Sequence, residues 1–114
     1  MSNALQTALA IQTLLSEYNV ENDSLNTFIQ EASELPTSEN LDRYNDLVEE
    51  YNNASGYDSK KDSAEELIAF YNAHSEELSA KQSEITTLQK VLEDAEQLYS
   101  LYNALASQLE DGDY

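Results

Sequence analysis

His74 is the only histidine in the chain, and there is no cysteine. Imidazole is the side chain whose ordinary pKa suits proton transfer near neutrality, so a Ser-His-Asp device could be built around this residue alone. Such a device also needs a presented serine, and no Gly-x-Ser-x-Gly elbow occurs. His74 instead falls on the apolar seam of a helical pattern, where a lone histidine packs or marks a helix break. A di-iron bundle site would require two Glu-x-x-His pairs, and none is present. Lys81 occupies the same seam, a position that suits a snorkelling or register-limiting residue better than a desolvated base.

The carboxylates invite a metal reading next. Asp58 and Asp62 stand at positions one and five of a calcium-type loop, but position three is Lys60, position six is Ser63 and position twelve is Ala69. A calcium loop needs a third oxygen ligand, a glycine at the turn and a bidentate glutamate at those places, so the pattern fails. Cysteine-ligated zinc, disulfides and thiolate nucleophiles are excluded by composition. No Walker or dinucleotide glycine motif occurs. These absences predict a protein without enzymatic activity, cofactor or metal.

Charge is the dominant chemical feature. Twenty-three acids face five bases, a net charge of −18 on 114 residues. Residues 1–57 hold ten acids and Arg43, and residues 58–114 hold thirteen acids and four lysines, so each half carries −9. A surface of this sign repels nucleic acid and anionic lipid, which argues against direct binding to either, and it suits a protein partner with a basic surface. One acidic face stands out at helical spacing: Glu39, Asp42, Asp46, Glu49 and Glu50, extended around a turn by Asp58, Asp62, Glu65 and Glu66. Such a face could imitate a nucleic-acid backbone. Averaged over a rod of roughly 70 Å, however, the net charge gives one per ~4 Å, against one per ~1.7 Å in duplex DNA.

Apolar periodicity identifies the elements that carry these residues. From Leu67 the apolar spacing alternates four and three through Tyr71, His74, Leu78, Lys81, Ile85, Leu88, Leu92, Ala95, Tyr99, Tyr102, Ala106 and Leu109. With Ser63 and Glu66 spaced as a capping box, this predicts a helix over about 64–110, weakest between Tyr71 and Ser75. Ala4, Ala8, Ile11, Leu15, Tyr18, Leu25 and Ile29 repeat the rule and predict a helix over about 3–34, in which Asn19 to Ser24 could interrupt the turn. Pro36 ends it, and Thr37 or Ser38 caps a shorter helix over about 38–53 with a seam at Leu41, Tyr44, Val48 and Tyr51. Residues 54–62 are then the one clear loop. Only two glycines and one proline remain for turns, too few for a β-sandwich or barrel.

The expected fold is therefore all-α in a single domain. The segments before the loop together match the length of the helix after it, which predicts an elongated antiparallel hairpin with a Pro-broken first arm. A compact three- or four-helix bundle is the alternative. The chain ends are more apolar than the middle, and Leu5, Leu9, Leu14, Leu98, Leu101 and Leu105 widen their stripes beyond what one neighbouring helix covers. These six are the candidate interface, for a homo-oligomer or a partner helix. Five of eight tyrosines precede an asparagine, at Tyr18, Tyr44, Tyr51, Tyr71 and Tyr102. Their irregular spacing excludes a repeat, and their place on the seams predicts packing rings with polar neighbours. No signal peptide or membrane span is legible, which predicts a soluble, cytoplasmic protein. The expected role is that of a structural component, adaptor or assembly factor. The alternative is a nucleic-acid-mimic inhibitor occupying a basic DNA- or RNA-binding site, of the accessory type that viruses and mobile elements encode.

Overall fold

The structure, a computed structural model, describes residues 2–30 and 37–112. Four α-helices follow one another: α1 (Asn3–Gln30), α2 (Glu39–Asn53), α3 (Tyr57–Ala73) and α4 (Gln82–Glu110), with a 3₁₀ turn over Ser79–Lys81 leading into the last. There is no strand among the described residues. The all-α expectation holds. So does the elongated shape, with extents of 57 × 21 × 20 Å. The radius of gyration is 17.2 Å, where a compact chain of this length would give about 13 Å.

α1 and α4 form a long antiparallel pair. Glu17 meets Lys90 across it at 3.2 Å, Leu15 and Tyr18 lie beside Leu98 and Tyr99, and Leu25 joins the core that holds Leu88. α2 and α3 make a second, shorter antiparallel layer on this pair. By helical rise α4 is about 43 Å long, while α2 and α3 reach only about 22 and 25 Å. The hairpin and the bundle are therefore both present: four helices at the base, and the ends of α1 and α4 projecting beyond as a two-helix arm.

Several boundaries differ from the sequence expectation. α1 runs unbroken through Asn19 to Ser24, because Tyr18 and Leu25, seven residues apart, anchor both sides of that polar stretch in the core. The expected extension to residue 34 and the stop at Pro36 lie outside the described residues. Ser38 does cap α2, its Oγ accepting from the Leu41 amide at 3.1 Å, and all four expected seam residues of α2 are buried.

The loop expected over 54–62 shrinks to 54–56. Gly56, at φ 85° and ψ 159°, reverses the chain and starts α3 at Tyr57, so the Ser63–Glu66 spacing lies inside a helix instead of beginning one. The expected single helix over 64–110 is two helices. It breaks after Ala73, at the weak point between Tyr71 and Ser75, and His74 is the C-terminal cap of α3. Its Nδ1 lies 3.3 Å from the Asn40 side-chain amide, and its ring tilts against Phe70 at 4.6 Å. Two further bonds tie the start of α2 to this bend: the Ser38 hydroxyl and the Asn40 amide donate to the Glu77 carboxylate at 2.7 and 2.8 Å. These donors hold Glu77 below the usual carboxylate pKa range, with Asn40 the larger influence.

The base of the bundle is a continuous apolar core in which Leu25, Tyr44, Leu47, Leu67, Leu78 and Leu88 are almost wholly enclosed. Polar groups are buried with them. Lys81 Nζ sits 3.6 Å from Glu84 Oε2 and 5.6 Å from the centre of the Tyr44 ring. The Tyr44 hydroxyl meets no partner in hydrogen-bonding geometry; burial, with the Glu84 carboxylate nearby, pushes its pKa far up. Burial also raises Glu84, outweighing the pull of Lys81. Further along, Asp94 is 1% exposed between α1 and α4, its charge offset by Lys90 at 3.4 Å.

Candidate functional site

The acidic face expected from the sequence falls on the shorter helix pair. All nine of its carboxylates lie on α2 and α3 and all nine are exposed. The three bases among them are disposed differently. Arg43 stands within the face and bridges the helices, 3.3 Å from Glu66 and 4.0 Å from Glu50, and Lys61 pairs with Glu65 at 4.0 Å. Lys60 turns away from it. Its Nζ donates to the Tyr51 carbonyl at 2.8 Å and lies 4.4 Å over the Tyr51 ring, where a cation suits the exposed carbonyls at the end of α2. Partial burial there lowers the Lys60 pKa.

The six leucines separate into two groups. Leu5 and Leu9 are 49% and 44% exposed, and they stand one turn apart on the side of α1 away from the buried Ala4 and Ile11. Leu14, Leu101 and Leu105 are half-buried, and Leu98 is only 6% exposed. These four residues are more covered than Leu5 and Leu9, on the α1 and α4 segments that form the arm. Leu98 thus belongs to the core, with only an edge left on the surface. The free surface of α4 is a different stripe, formed by Tyr99, Tyr102, Ala106 and Leu109, all exposed.

That stripe continues the seam Leu88, Leu92 and Ala95. At the base α2 and α3 cover it; above the turn at Gly56 nothing among the described residues does. The transition is a groove of about 420 Å³. α1 and α4 line one side with Leu15, Tyr18, Ala95, Leu98, Tyr99 and Tyr102, and the turn closes the other with Gly56, Tyr57 and Lys60. Tyr57 and Tyr99 stack across its rim, centroids 4.5 Å apart and planes 11° from parallel. Tyr51, beneath Lys60, has its pKa pushed up to about 12 by burial and, secondarily, by Tyr18.

Of the five Tyr-Asn tyrosines, Tyr44, Tyr51 and Tyr71 are buried, Tyr18 is half-buried, and every partnering asparagine is exposed. Packing explains these four. Tyr102 is 48% exposed, a seam residue without a covering layer. Tyr44 departs from the expected pattern in another way, since its hydroxyl is buried instead of reaching water.

Sequence reasoning missed Tyr57, Tyr99 and Tyr102 as a site, and a signal for them was available. Residues 1–16 and 97–109 contain no Asp, Glu, Lys, Arg or His. The balance of −9 in each half concealed this, because the charges cluster in the middle of the chain. Folding brings the two uncharged segments together as the arm, so a strongly acidic molecule has one neutral end, with Glu110 and Asp111 at its tip.

Among the described residues no group of three or more potential ligands could hold a metal ion, and no helix is long and apolar enough to cross a membrane. No protein-family model, curated protein or solved structure matches the chain. The fold and the groove define an all-α protein with an acidic base and a neutral, tyrosine-rich arm.

Proposed function

We propose that this protein is non-enzymatic and acts through protein–protein contacts made by its arm, as a structural component, adaptor or assembly factor. The observation that carries this is the uncovered seam of α4. Tyr99, Tyr102, Ala106 and Leu109 continue a core stripe into solvent, on the one part of the molecule that lacks charge. Interfaces are depleted in charged residues at their centres and enriched in tyrosine, which suits this stripe.

The acidic face on α2 and α3 favours a second function, occupation of a basic nucleic-acid-binding site. Nine exposed carboxylates less Arg43 and Lys61 leave seven net charges. Over the roughly 25 Å of α3 that is one per ~3.6 Å, still half the density of duplex DNA. Arg43 in the middle of the face works against mimicry as well.

Capture of partners from the native source at low and moderate salt, with two variants, separates these functions. Arm contacts predict binding that survives moderate salt, is lost in Tyr102→Glu/Leu109→Glu, and persists in Asp46→Asn/Glu49→Gln/Glu50→Gln. Mimicry predicts the reverse, with release by salt and competition by DNA or RNA. Binding unaffected by the arm variant overturns the arm as the functional surface.

A further inference from the structure

We infer that the arm's partner is a second copy of this chain, docked arm on arm with the two molecules antiparallel. The inference rests on the protein-contact function proposed above and names its partner. At the base, the face of the α1–α4 pair is covered by a second antiparallel helix pair. The arm presents the same face without its second layer. An antiparallel helix pair is what would complete a four-helix arrangement there, and the α1–α4 arm of another copy is such a pair.

Charge selects this arrangement over others. Two molecules at −18 repel wherever their bases approach, and the arm, uncharged over residues 1–16 and 97–109, is where they can meet. Docking the arms in antiparallel overlap sends the two acidic bases to opposite ends. It also brings the tip of each arm, with Glu110 and Asp111, to the groove of the other copy, where Lys60 is the only charged lining residue. A parallel arrangement would set the two bases side by side and the acidic tips against each other.

The area is adequate. The uncovered face is about 17 Å long and two helices wide, about 20 Å, so side-chain relief gives on the order of 600–700 Å² per copy. Specific interfaces bury roughly 600–1,000 Å² per partner. Tyr102 and Leu109 lie at the centre and end of this face, Leu15 and Tyr99 at its base, and burying them needs no rearrangement of the α1–α4 seam.

Sedimentation equilibrium from about 1 to 100 µM tests the inference by mass action. The expected result is a species of twice 12.8 kDa with micromolar dissociation, weakened at least about 30-fold by Tyr102→Glu. Both replaced side chains of Tyr102→Glu/Leu109→Glu are exposed, so its helical circular dichroism should be unchanged and its melting temperature should match that of the parent diluted to monomer. Because the chain has no cysteine, a spin label at Ala106→Cys reports one distance. That distance should fall below about 30 Å in the dimer, while a label at Ser79→Cys, at the far end of a 57 Å molecule, should exceed about 60 Å. A monomer at all concentrations, a short distance from position 79, or a dimer untouched by the arm variant overturns the second copy. A monomer whose arm variant still loses a captured partner leaves the protein-contact function standing with a different partner, so the two failures are distinguishable.

Discussion

Tyr57 and Tyr99 stack face to face at 4.5 Å, and this pair marks where the four-helix base ends and the two-helix arm begins. Tyr57 is the first residue of α3 and Tyr99 lies in the upper half of α4, so the stack fastens the α2–α3 turn to the long helix pair. Tyr99 is 50% exposed, which limits the solvation part of the gain and leaves the ring–ring term prominent. A double-mutant cycle on Tyr57→Ala and Tyr99→Ala in urea should give a coupling of about 0.5–1.5 kcal/mol. A coupling near zero would mean that the turn is held by the backbone alone.

Gly56 supplies that backbone term. A Cβ at this position would meet nothing within 4 Å, yet φ is 85° with ψ 159°, a region that L side chains avoid. Gly56→Ala should destabilise by about 1–3 kcal/mol through backbone strain alone. Gly112 also has positive φ and an open Cβ position, but it follows the last helix, where fraying relieves strain. Gly112→Ala should lie within about 0.5 kcal/mol of the parent by urea midpoint. Equal costs at the two glycines would show that the Gly56 turn is free to relax.

The two leucine groups make contrasting claims on stability. Leu98, enclosed in the α1–α4 seam, should cost about 2–4 kcal/mol on replacement by alanine. Leu9→Ala, on the exposed side of α1, should cost less than about 0.5 kcal/mol. Thermal melts of the two variants check the order. A large loss at Leu9 would place it in contact with a second molecule or with residues beyond those described.

The leucines also show what periodicity can and cannot reveal. Alternating three and four spacing identified Leu41, Tyr44, Leu67, Leu78 and Leu88 as inward-facing, and each is buried. It could not reveal that the chain reverses between Tyr71 and Ile85. Helices on both sides of a tight bend turn apolar faces to the same core, and Leu78 within the bend fills the core as well, so the rhythm passes through without a slip. Nor could it separate the two stripes of α4. The heptad through Ala95, Tyr99 and Tyr102 is the better pattern, but α1 packs on the stripe through Asp94, Leu98 and Leu101. A charge in the second stripe disguised it, and Lys90 is what makes Asp94 tolerable there. The turn at Gly56 was legible as a turn and too long by six residues, because the carboxylates and lysines after it read as loop when they are the exposed side of α3.

Tyr51 carries a prediction at high pH. Its pKa, near 12 in the folded protein, returns to 10.0 when burial is lost. The folded state therefore keeps a proton that the unfolded chain releases, and stability falls as pH rises from about 10 towards 12. Tyr51→Phe removes its share of this dependence and leaves that of Tyr44, so base unfolding followed by phenolate absorbance should shift to higher pH in the variant. An unchanged midpoint would mean that another buried tyrosine governs the transition; Tyr44, more deeply enclosed, is the one to replace next.

Lys81 and Glu84 set the opposite end of the pH profile. The pair lies at the base of the bundle with side chains 11% and 6% exposed and 3.6 Å apart. Burial raises the Glu84 pKa despite the cation beside it, so folding takes up a proton in the window between the ordinary carboxylate value and the raised one. Stability should accordingly fall as pH rises through that window, the opposite of an ordinary salt-bridged acid. Glu77, whose pKa is lowered by Asn40 and Ser38, acts the other way: its contribution is present above the ordinary carboxylate value and is lost on acidification. Glu84→Gln isolates the second influence, leaving a profile that rises with pH through the carboxylate range. Removing the cation alone is a different matter. Lys81→Met leaves an uncompensated carboxylate among Tyr44 and Leu88 and should cost about 3–5 kcal/mol at neutral pH. The joint replacement Lys81→Met/Glu84→Met should recover most of that loss, or exceed the parent, because two desolvated charges give way to apolar volume. Urea unfolding of the three variants at pH 5 and at neutrality checks the set, and a single Lys81→Met as stable as the parent would show that water reaches Glu84.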